Sequence, residues 1–161
     1  MSVSAALAMS LTITESLSAA GISTSNNTLK YSAFNVSKTL NASSSPTVTK
    51  SAVGQLALSS GSVTMNLAAV VTSAGATVDF TGRKIQALLL QVPSGNANNM
   101  TFVPGASNGI DIFGASSKIV LEPGQSYLMD FANAGQTVAS GDRTIDVTGT
   151  GTQAFNFAIV G

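Results

Sequence analysis

Apolar and polar residues alternate over most of this chain, and this pattern constrains its fold more than any other feature of the sequence. The alternation is clearest at residues 9–14, 63–69 and 155–159, where every second residue is apolar. A period of two residues is that of a β-strand with one buried face, whereas a long amphipathic helix needs a period of 3.6 residues. No long segment has the helical period, so the sequence predicts an all-β fold.

Turn-forming residues separate the predicted strands. The Pro-Gly pairs at 104–105 and 123–124 combine the fixed φ of proline with a glycine that accepts a positive φ, as a type II turn requires. An Asn-Gly pair at 108–109 and a Ser-Gly pair at 60–61 mark further turns, and residues 94–99 form a polar loop tip. Further strands are therefore predicted at residues 29–36, 47–50, 53–58, 77–80, 85–92, 100–103, 110–113, 118–121, 126–131 and 144–147.

The spacing of strands and turns favours one of two architectures. Short strands at intervals of about 8 to 12 residues are typical of an antiparallel β-sandwich or barrel. A length of 161 residues fits a single domain, so we expect residues 1–161 to form one β-sandwich of jelly-roll type, which is a double Greek key. Only the Ala-rich residues 2–8 have the composition for a turn or two of helix, and this segment is too short to be a helix on its own.

Two segments of the chain resemble each other at an offset of 67 residues. Residues 77–82 and 86–90 align without a gap on residues 144–149 and 153–157. One interpretation is a strand-turn-strand unit present once in each half of a double Greek key. The other is that two hairpins built from the same Thr, Gly and Ala residues look alike by chance.

The start of the chain differs from the rest in composition. Residues 1–45 are rich in Ser, Thr and Asn, and polar runs lie at 23–28 and 41–47. A polar run buries too little apolar surface to offset the entropy of ordering it. We therefore expect part of residues 1–28 to be an extended arm or a peripheral strand that is looser in the free protein and is ordered against a neighbour.

The charge balance predicts self-association. Seven acidic residues balance seven basic residues, and charged residues make up 9% of the chain, against about 25% in an average domain. A net charge near zero removes the repulsion that keeps monomers apart, so we expect a homo-oligomer. Only Arg83 and Lys84 are adjacent basic residues, which excludes a nucleic-acid partner for lack of a basic stripe. The densest apolar stretch, 85–92, is far shorter than the roughly 20 residues that span a bilayer, so no membrane contact is expected.

The residue inventory excludes the common catalytic and metal-binding sets. The chain has no Cys, His or Trp, so it has no disulfide, thiol nucleophile, imidazole base or His-built metal site. Seven carboxylates remain, and glycosidases need only two, but Glu122 and Asp142 lie in predicted turns while Asp79 and Asp146 lie on the polar sides of predicted strands. Asp142 and Asp146 lack the spacing of a calcium loop. We expect no enzyme activity, and no catalytic, cofactor-binding or metal site.

A glycan-binding module is a more specific alternative function than an enzyme. Asn-rich loop tips can form hydrogen bonds with sugars, and β-sandwiches often carry such sites. Sugar rings are usually gripped by exposed aromatic rings, however, and this chain has no Trp and only two tyrosines, Tyr31 and Tyr127. The aromatic content disfavours a lectin.

Two segments carry a resemblance to a known class of proteins. The strand-turn-strand at residues 119–128 and the ending at residues 143–161, together with the strand from residue 85, resemble small virion proteins of tailed bacteriophages, especially capsid decoration or cement proteins. The resemblance covers about half the chain and contains no diagnostic motif. It implies a β-sandwich protein that binds the major capsid protein, often as a trimer, and stabilises the shell.

The leading hypothesis is therefore a non-enzymatic structural protein of a virion. It would be made in the host cytoplasm, since the first ten residues lack the basic start of a secretory signal, and it would then bind to the capsid surface. A receptor- or glycan-binding adhesin is the alternative, and a bacterial assembly subunit is the third hypothesis.

Overall fold

In the part of the chain that the structure describes, all strand pairs are antiparallel. The computed structural model describes residues 3–16, 28–114, 116–131 and 135–161, and within these ranges it contains twelve β-strands and no helix. The strands are β1 (Ser4–Ser16), β2 (Thr28–Asn41), β3 (Ser51–Ala57), β4 (Ser62–Asn66), β5 (Val70–Val71), β6 (Thr77–Val78), β7 (Ala87–Gln91), β8 (Met100–Pro104), β9 (Ile119–Leu121), β10 (Ser126–Asp130), β11 (Thr144–Thr148) and β12 (Ala154–Val160). The predicted all-β fold is confirmed.

Two four-stranded sheets form the body of the molecule. The first sheet has the strand order β10-β7-β12-β3, and the second has the order β4-β11-β8-β9. Two smaller pairs accompany them: β1 pairs with β2, and β5 pairs with β6. We call the β1–β2 pair the ribbon. Its two strands run side by side over 13 and 14 residues, which makes it about 40 Å long.

The two four-stranded sheets share one hydrophobic core. The inward residues of each strand alternate with outward ones, as in β12, where Phe155, Phe157 and Ile159 are buried in the core and Ala154, Asn156 and Ala158 are only half-buried. The rings of Phe155 in the first sheet and Phe102 in the second meet edge to face, with centroids 5.1 Å apart. Large side chains from both sheets therefore interlock at the centre, and the predicted alternation corresponds to the division between core and surface.

The internal similarity has a partial counterpart in the fold. Strands β7 and β12, which correspond at the offset of 67, are neighbours in the first sheet, and the equivalent residues Leu90 and Phe157 are paired with each other. A local two-fold relation between the two strands therefore passes through this pair. The preceding segments differ, because β6 has two residues and pairs with β5, whereas β11 has five and lies inside the second sheet.

Two predicted strands are wrong. Residues 47–50 form no strand; their backbone donates single hydrogen bonds to the carbonyl of Asn41 and to that of Gly161, just after β12, including Lys50 N–H to the Gly161 carbonyl at 2.8 Å. Residues 110–113 also form no strand, although Ile110 and Ile112 are both buried. Here two alternate apolar residues pack in the core from a loop, and the backbone joins the sheet through an isolated bridge between Gly109 and Thr144.

The turns and the N-terminal segment also differ from expectation in part. Gly124 has φ of 88° and confirms the turn at 123–124, but Gly105 has no positive φ. Glycine is needed at position 105 because a Cβ there would lie 2.1 Å from the Thr144 hydroxyl. Residues 2–8 are not helical where the structure describes them, because β1 starts at Ser4.

The inter-sheet aromatic contact predicts a large and specific stability effect. Phe155→Ala should lower the free energy of unfolding by about 3–5 kcal/mol, because it leaves a cavity at the centre of the core. Phe102→Ala should cost a similar amount, and the double variant should cost less than the sum because the two rings contact each other. Urea denaturation measures all three. Val120→Ala, at an exposed valine of β9, is the control and should change stability by less than about 0.5 kcal/mol.

Candidate assembly surface

The outer face of the first sheet is the main candidate for a functional surface. The strand register aligns its outward residues in three rows that cross all four strands. The row nearest the ribbon comprises Asp130, Ala87, Val160 and Ser51. The middle row, which we call the apolar row, comprises Leu128, Leu89, Ala158 and Val53. The far row contains three amides, Gln91, Asn156 and Gln55, with Ser126 at its end; we call the three amides the amide row.

The base of the ribbon is seated on the row nearest to it. Leu7 of β1 and Leu40 of β2 are buried in a second apolar cluster together with Ala87 and Val160 of the sheet. The Lys38 ammonium of β2 lies 3.0 Å from a carboxylate oxygen of Asp130 in β10. An apolar contact and an ion pair therefore fix the base of the ribbon to the body.

The ribbon carries apolar residues beyond the part that is seated. The register places Leu7 opposite Lys38 and then Met9 opposite Val36, two residues further along the same face. Met9 is 40% exposed and Val36 is 51% exposed. Beyond them the register pairs apolar with apolar residues twice more, Leu11 with Phe34 and Ile13 with Tyr31. The sequence of the ribbon thus continues its apolar character past the edge of the contact with the sheet.

The apolar row lies open beside the seated ribbon. It forms the floor of a groove of about 380 Å³ whose wall is residues 4–8 of β1. Val53 is 61% exposed, and Leu89, Leu128 and Ala158 are half-buried. The row spans four strands, which is about 14 Å across the sheet. This face therefore presents a continuous aliphatic strip to solvent.

The amide row forms a hydrogen-bonded ladder on the far side of the groove. The Gln55 amide nitrogen donates to the Asn156 carbonyl oxygen at 3.0 Å, and the Asn156 amide nitrogen donates to the Gln91 carbonyl oxygen at 2.9 Å. Cross-strand pairs of this kind stabilise a sheet by up to about 1 kcal/mol each. The groove is therefore bordered by uncharged polar groups.

The carboxylates singled out from the sequence do not gather at this surface or at any other. Asp146 accepts hydrogen bonds from the Thr64 hydroxyl at 2.6 Å and the Ala106 N–H at 2.7 Å, which ties β11 to β4 and to the loop after β8. Glu122 and Asp142 lie in turns closed by their own backbone hydrogen bonds. Among the described residues no three acidic side chains approach closely enough to hold a metal ion. The side chain of Glu15 lies outside the described part of the chain.

Asp79 has the one resolved shift in acidity among the described groups. The hydroxyl and the backbone N–H of Thr81 form hydrogen bonds with its carboxylate, the latter at 2.7 Å, and lower its pKa below the ordinary value; the charge of Lys50 lowers it further. The Lys50 ammonium also donates to the Asp79 backbone carbonyl. Asp79 is fully exposed, so the shift marks a turn that orders residues 79–82 rather than a catalytic acid.

The apolar row and the amide row could not be predicted from the sequence. The expected arm at residues 1–28 corresponds in part to β1, but residues 17–27, which hold most of the polar run 23–28, lie outside the described residues, as do residues 1 and 2. Residues such as Gln55 and Asn156 are 101 positions apart, and only the strand register brings them together. Alternation predicted that they face outward, which was the one available signal.

Comparison of the chain with protein-family models, with curated proteins and with solved structures finds no match. In the part of the chain that the structure describes, no helix is long and apolar enough to cross a membrane. The function has to be argued from the surface itself.

The seating of the ribbon predicts a local effect of core truncation. Leu40→Ala should detach the base of the ribbon, because Leu40 is 1% exposed and fills the contact with the sheet; the local cost should be about 2–5 kcal/mol. Amide hydrogen exchange should accelerate in β1 and β2 while β7 and β12 stay protected. Thr39→Ala, at an exposed residue on the other face of the same strand, is the matched control and should leave exchange unchanged. Equal acceleration in β12 would show instead that the ribbon is part of the central core.

The Asp79 turn predicts a small stabilisation that is lost in acid. Its folded pKa is lowered, so the carboxylate stabilises the fold above its unfolded pKa, and this contribution disappears as the pH falls through the folded pKa. A carbon-detected NMR titration should show the Asp79 midpoint below the ordinary value, and Thr81→Ala should move it part of the way back. Asp79→Asn should be less stable than the parent chain at pH 7 and equal to it near pH 2. A parent midpoint at or above the ordinary value would contradict the turn.

Proposed function

We propose that this chain is a non-enzymatic virion structural protein, a capsid decoration or cement protein that binds the major capsid protein and stabilises the shell. In this proposal it acts on the capsid surface as a homo-oligomer, with a trimer preferred. The observation that carries the proposal is the ribbon, which is seated at its base and has exposed apolar residues beyond it. A projecting arm of this kind is suited to joining one molecule to others in an assembly.

The pairing of the body strands supports a jelly-roll sandwich as the scaffold of that function. Numbered in chain order, the eight strands of the two sheets pair first with eighth (β3 with β12), second with seventh (β4 with β11), third with sixth (β7 with β10) and fourth with fifth (β8 with β9). Such nested pairing is that of one long hairpin rolled into two sheets, and jelly rolls occur in viral capsid and lectin domains. The link from fold to function is an analogy.

Because the surface carries few charges, we propose that the protein binds the shell through uncharged contacts. The groove is aliphatic and its far border is amide, so the contact free energy would come from apolar burial and neutral hydrogen bonds. Salt screens exposed charges but hardly affects such contacts. Several weak contacts, tied together in an oligomer, bind a repeating shell tightly because each raises the effective concentration of the next.

A receptor- or glycan-binding adhesin is the second candidate, and the amide row is the observation that favours it. Side-chain amides can form hydrogen bonds with sugar hydroxyls, and three of them are aligned on an open face. Their donors and acceptors already bind one another, however, and the six exposed large hydrophobic residues among those described include a single aromatic residue, Tyr127 on β10. The cement function is therefore preferred.

The proposal predicts that shell stability depends on the ribbon. In the particle fraction of the source culture, mass spectrometry should find this chain in a fixed ratio to one abundant shell protein. Stripping the chain should lower the temperature at which the particles release their genome, and adding back the parent protein should restore it. Adding back Val36→Asp should restore it less well, because a charge would then be buried in the contact. Val120→Asp, at an exposed valine of the other sheet, is the matched control and should restore it fully.

Two results together would overturn the cement function. The first is an unchanged release temperature in stripped particles. The second is specific binding of the purified protein to a glycan array that is lost in Asn156→Ala, since this would assign the outer face to a receptor instead of a shell.

A further inference from the structure

We propose that the apolar row of one molecule is covered by the exposed part of the ribbon of a second copy of this chain. This inference deepens the self-association within the proposed function, because it names the surfaces and the occupant. It requires no capsid, so its test is independent of the shell.

The ribbon itself gives the first reason. A two-stranded ribbon is marginally stable in water on its own, and here only the base is seated on the body. From Met9 to the end of β1 at Ser16 the ribbon runs about 24 Å further. Within this part, the register pairs at Met9, Leu11 and Ile13 are apolar on both strands. The exposed pair Met9 and Val36 is thus an apolar patch that is stabilised when another surface covers it.

The apolar row gives the second reason, because its size and chemistry match. It is about 14 Å long, shorter than the exposed part of the ribbon, and it is built from aliphatic side chains. The segments that would meet carry no charge: residues 9–13 and 31–36 contain no acidic or basic residue, and neither does the row, while Glu15 and Lys30 lie further along the ribbon. Two uncharged apolar strips can meet without desolvating an ion.

The existing contact within the molecule identifies the occupant. The ribbon base, through Leu7 and Leu40, already packs on the outer face of this sheet, on the row immediately beside the apolar row. The exposed pair Met9 and Val36 continues the same face of the ribbon as Leu7. Besides the Lys38–Asp130 pair, this face binds aliphatic residues of the sheet in its own molecule. The next aliphatic residues lie in the apolar row, where Leu128 already packs against the ribbon cluster and Val53 is 61% exposed. A second copy supplies both surfaces in equal number.

The contact would join two different surfaces, ribbon to row. A contact of this heterologous type gives every molecule one donor and one acceptor surface, and it closes when the molecules form a ring. A ring of three meets this condition and agrees with the preferred trimer. No further partner is needed to satisfy either surface.

Mixing single-cysteine variants tests the contact directly. The parent chain has no Cys, so a disulfide between Met9→Cys and Val53→Cys molecules can form only between two copies, and only where their Cα atoms come within about 7 Å. Under mild oxidation this mixture should give a heterodimer in at least tenfold excess over a mixture of Met9→Cys with Val120→Cys. Val120 lies on the second sheet and is also exposed, so it matches Val53 in side chain and accessibility. Equal cross-linking in the two mixtures, or a predominance of Met9→Cys homodimers, would overturn the inference.

Charge substitutions give a second, reversible readout. Val53→Asp and Val36→Asp should each raise the concentration at which light scattering detects dissociation by at least tenfold, because each buries a carboxylate in the contact. Val120→Asp should leave it unchanged, and far-UV circular dichroism confirms that all three variants are folded. A parent chain that stays monomeric at high micromolar concentration overturns the inference.

The two proposals can fail separately. Monomers that still raise the release temperature of a shell would overturn the ribbon contact and leave the cement function. Cross-linked rings that have no effect on the shell would support the contact and overturn the cement function.

Discussion

The edge-to-face contact between Phe102 and Phe155 is the interaction on which the rest of the structure depends. Each ring lies on an inner strand of its sheet, β8 in one and β12 in the other, so the contact joins the sheets at their centres. The other large buried side chains surround this pair in one cluster. Because the inner faces of the two sheets are packed against each other, their outer faces are available for contacts with the ribbon or with other molecules.

The first sheet is covered on its inner face by the core and on part of its outer face by the ribbon. In β7, Leu88 and Leu90 face the core while Ala87 lies beneath the ribbon. A strand covered on both faces needs apolar residues at consecutive positions instead of alternate ones. This explains the dense apolar stretch at residues 85–92, and it ties the least alternating strand of the sequence to the place where the arm is attached.

Local pattern predicted most strands, and non-local pairing decided the rest. Alternation located the strands of both sheets because burial of one face acts on each strand separately. The same signal wrongly predicted a strand at Ile110 and Ile112, where two buried residues belong to a loop. It also predicted a strand at residues 47–50, where the backbone of Lys50 makes single hydrogen bonds and not the continuous ladder of a strand pair. Composition predicted an arm or a peripheral strand within residues 1–28, and of that segment the structure shows β1 paired with β2; this pairing depends on residues of β2 that lie further along the chain. The apolar and amide rows depend on register among β3, β7, β10 and β12, which no local pattern contains.

The two-stranded form of the ribbon determines how it would respond to force. β1 and β2 lie side by side in antiparallel directions, so a pull on the end away from the base is shared by two strands and acts along the ladder rather than breaking its hydrogen bonds one at a time. The load passes to the base, where Leu7, Leu40 and the Lys38–Asp130 pair hold it on the sheet. The base would therefore give way before the ribbon does. An arm of this design is a tether whose mechanical limit is set by a small patch on its own molecule.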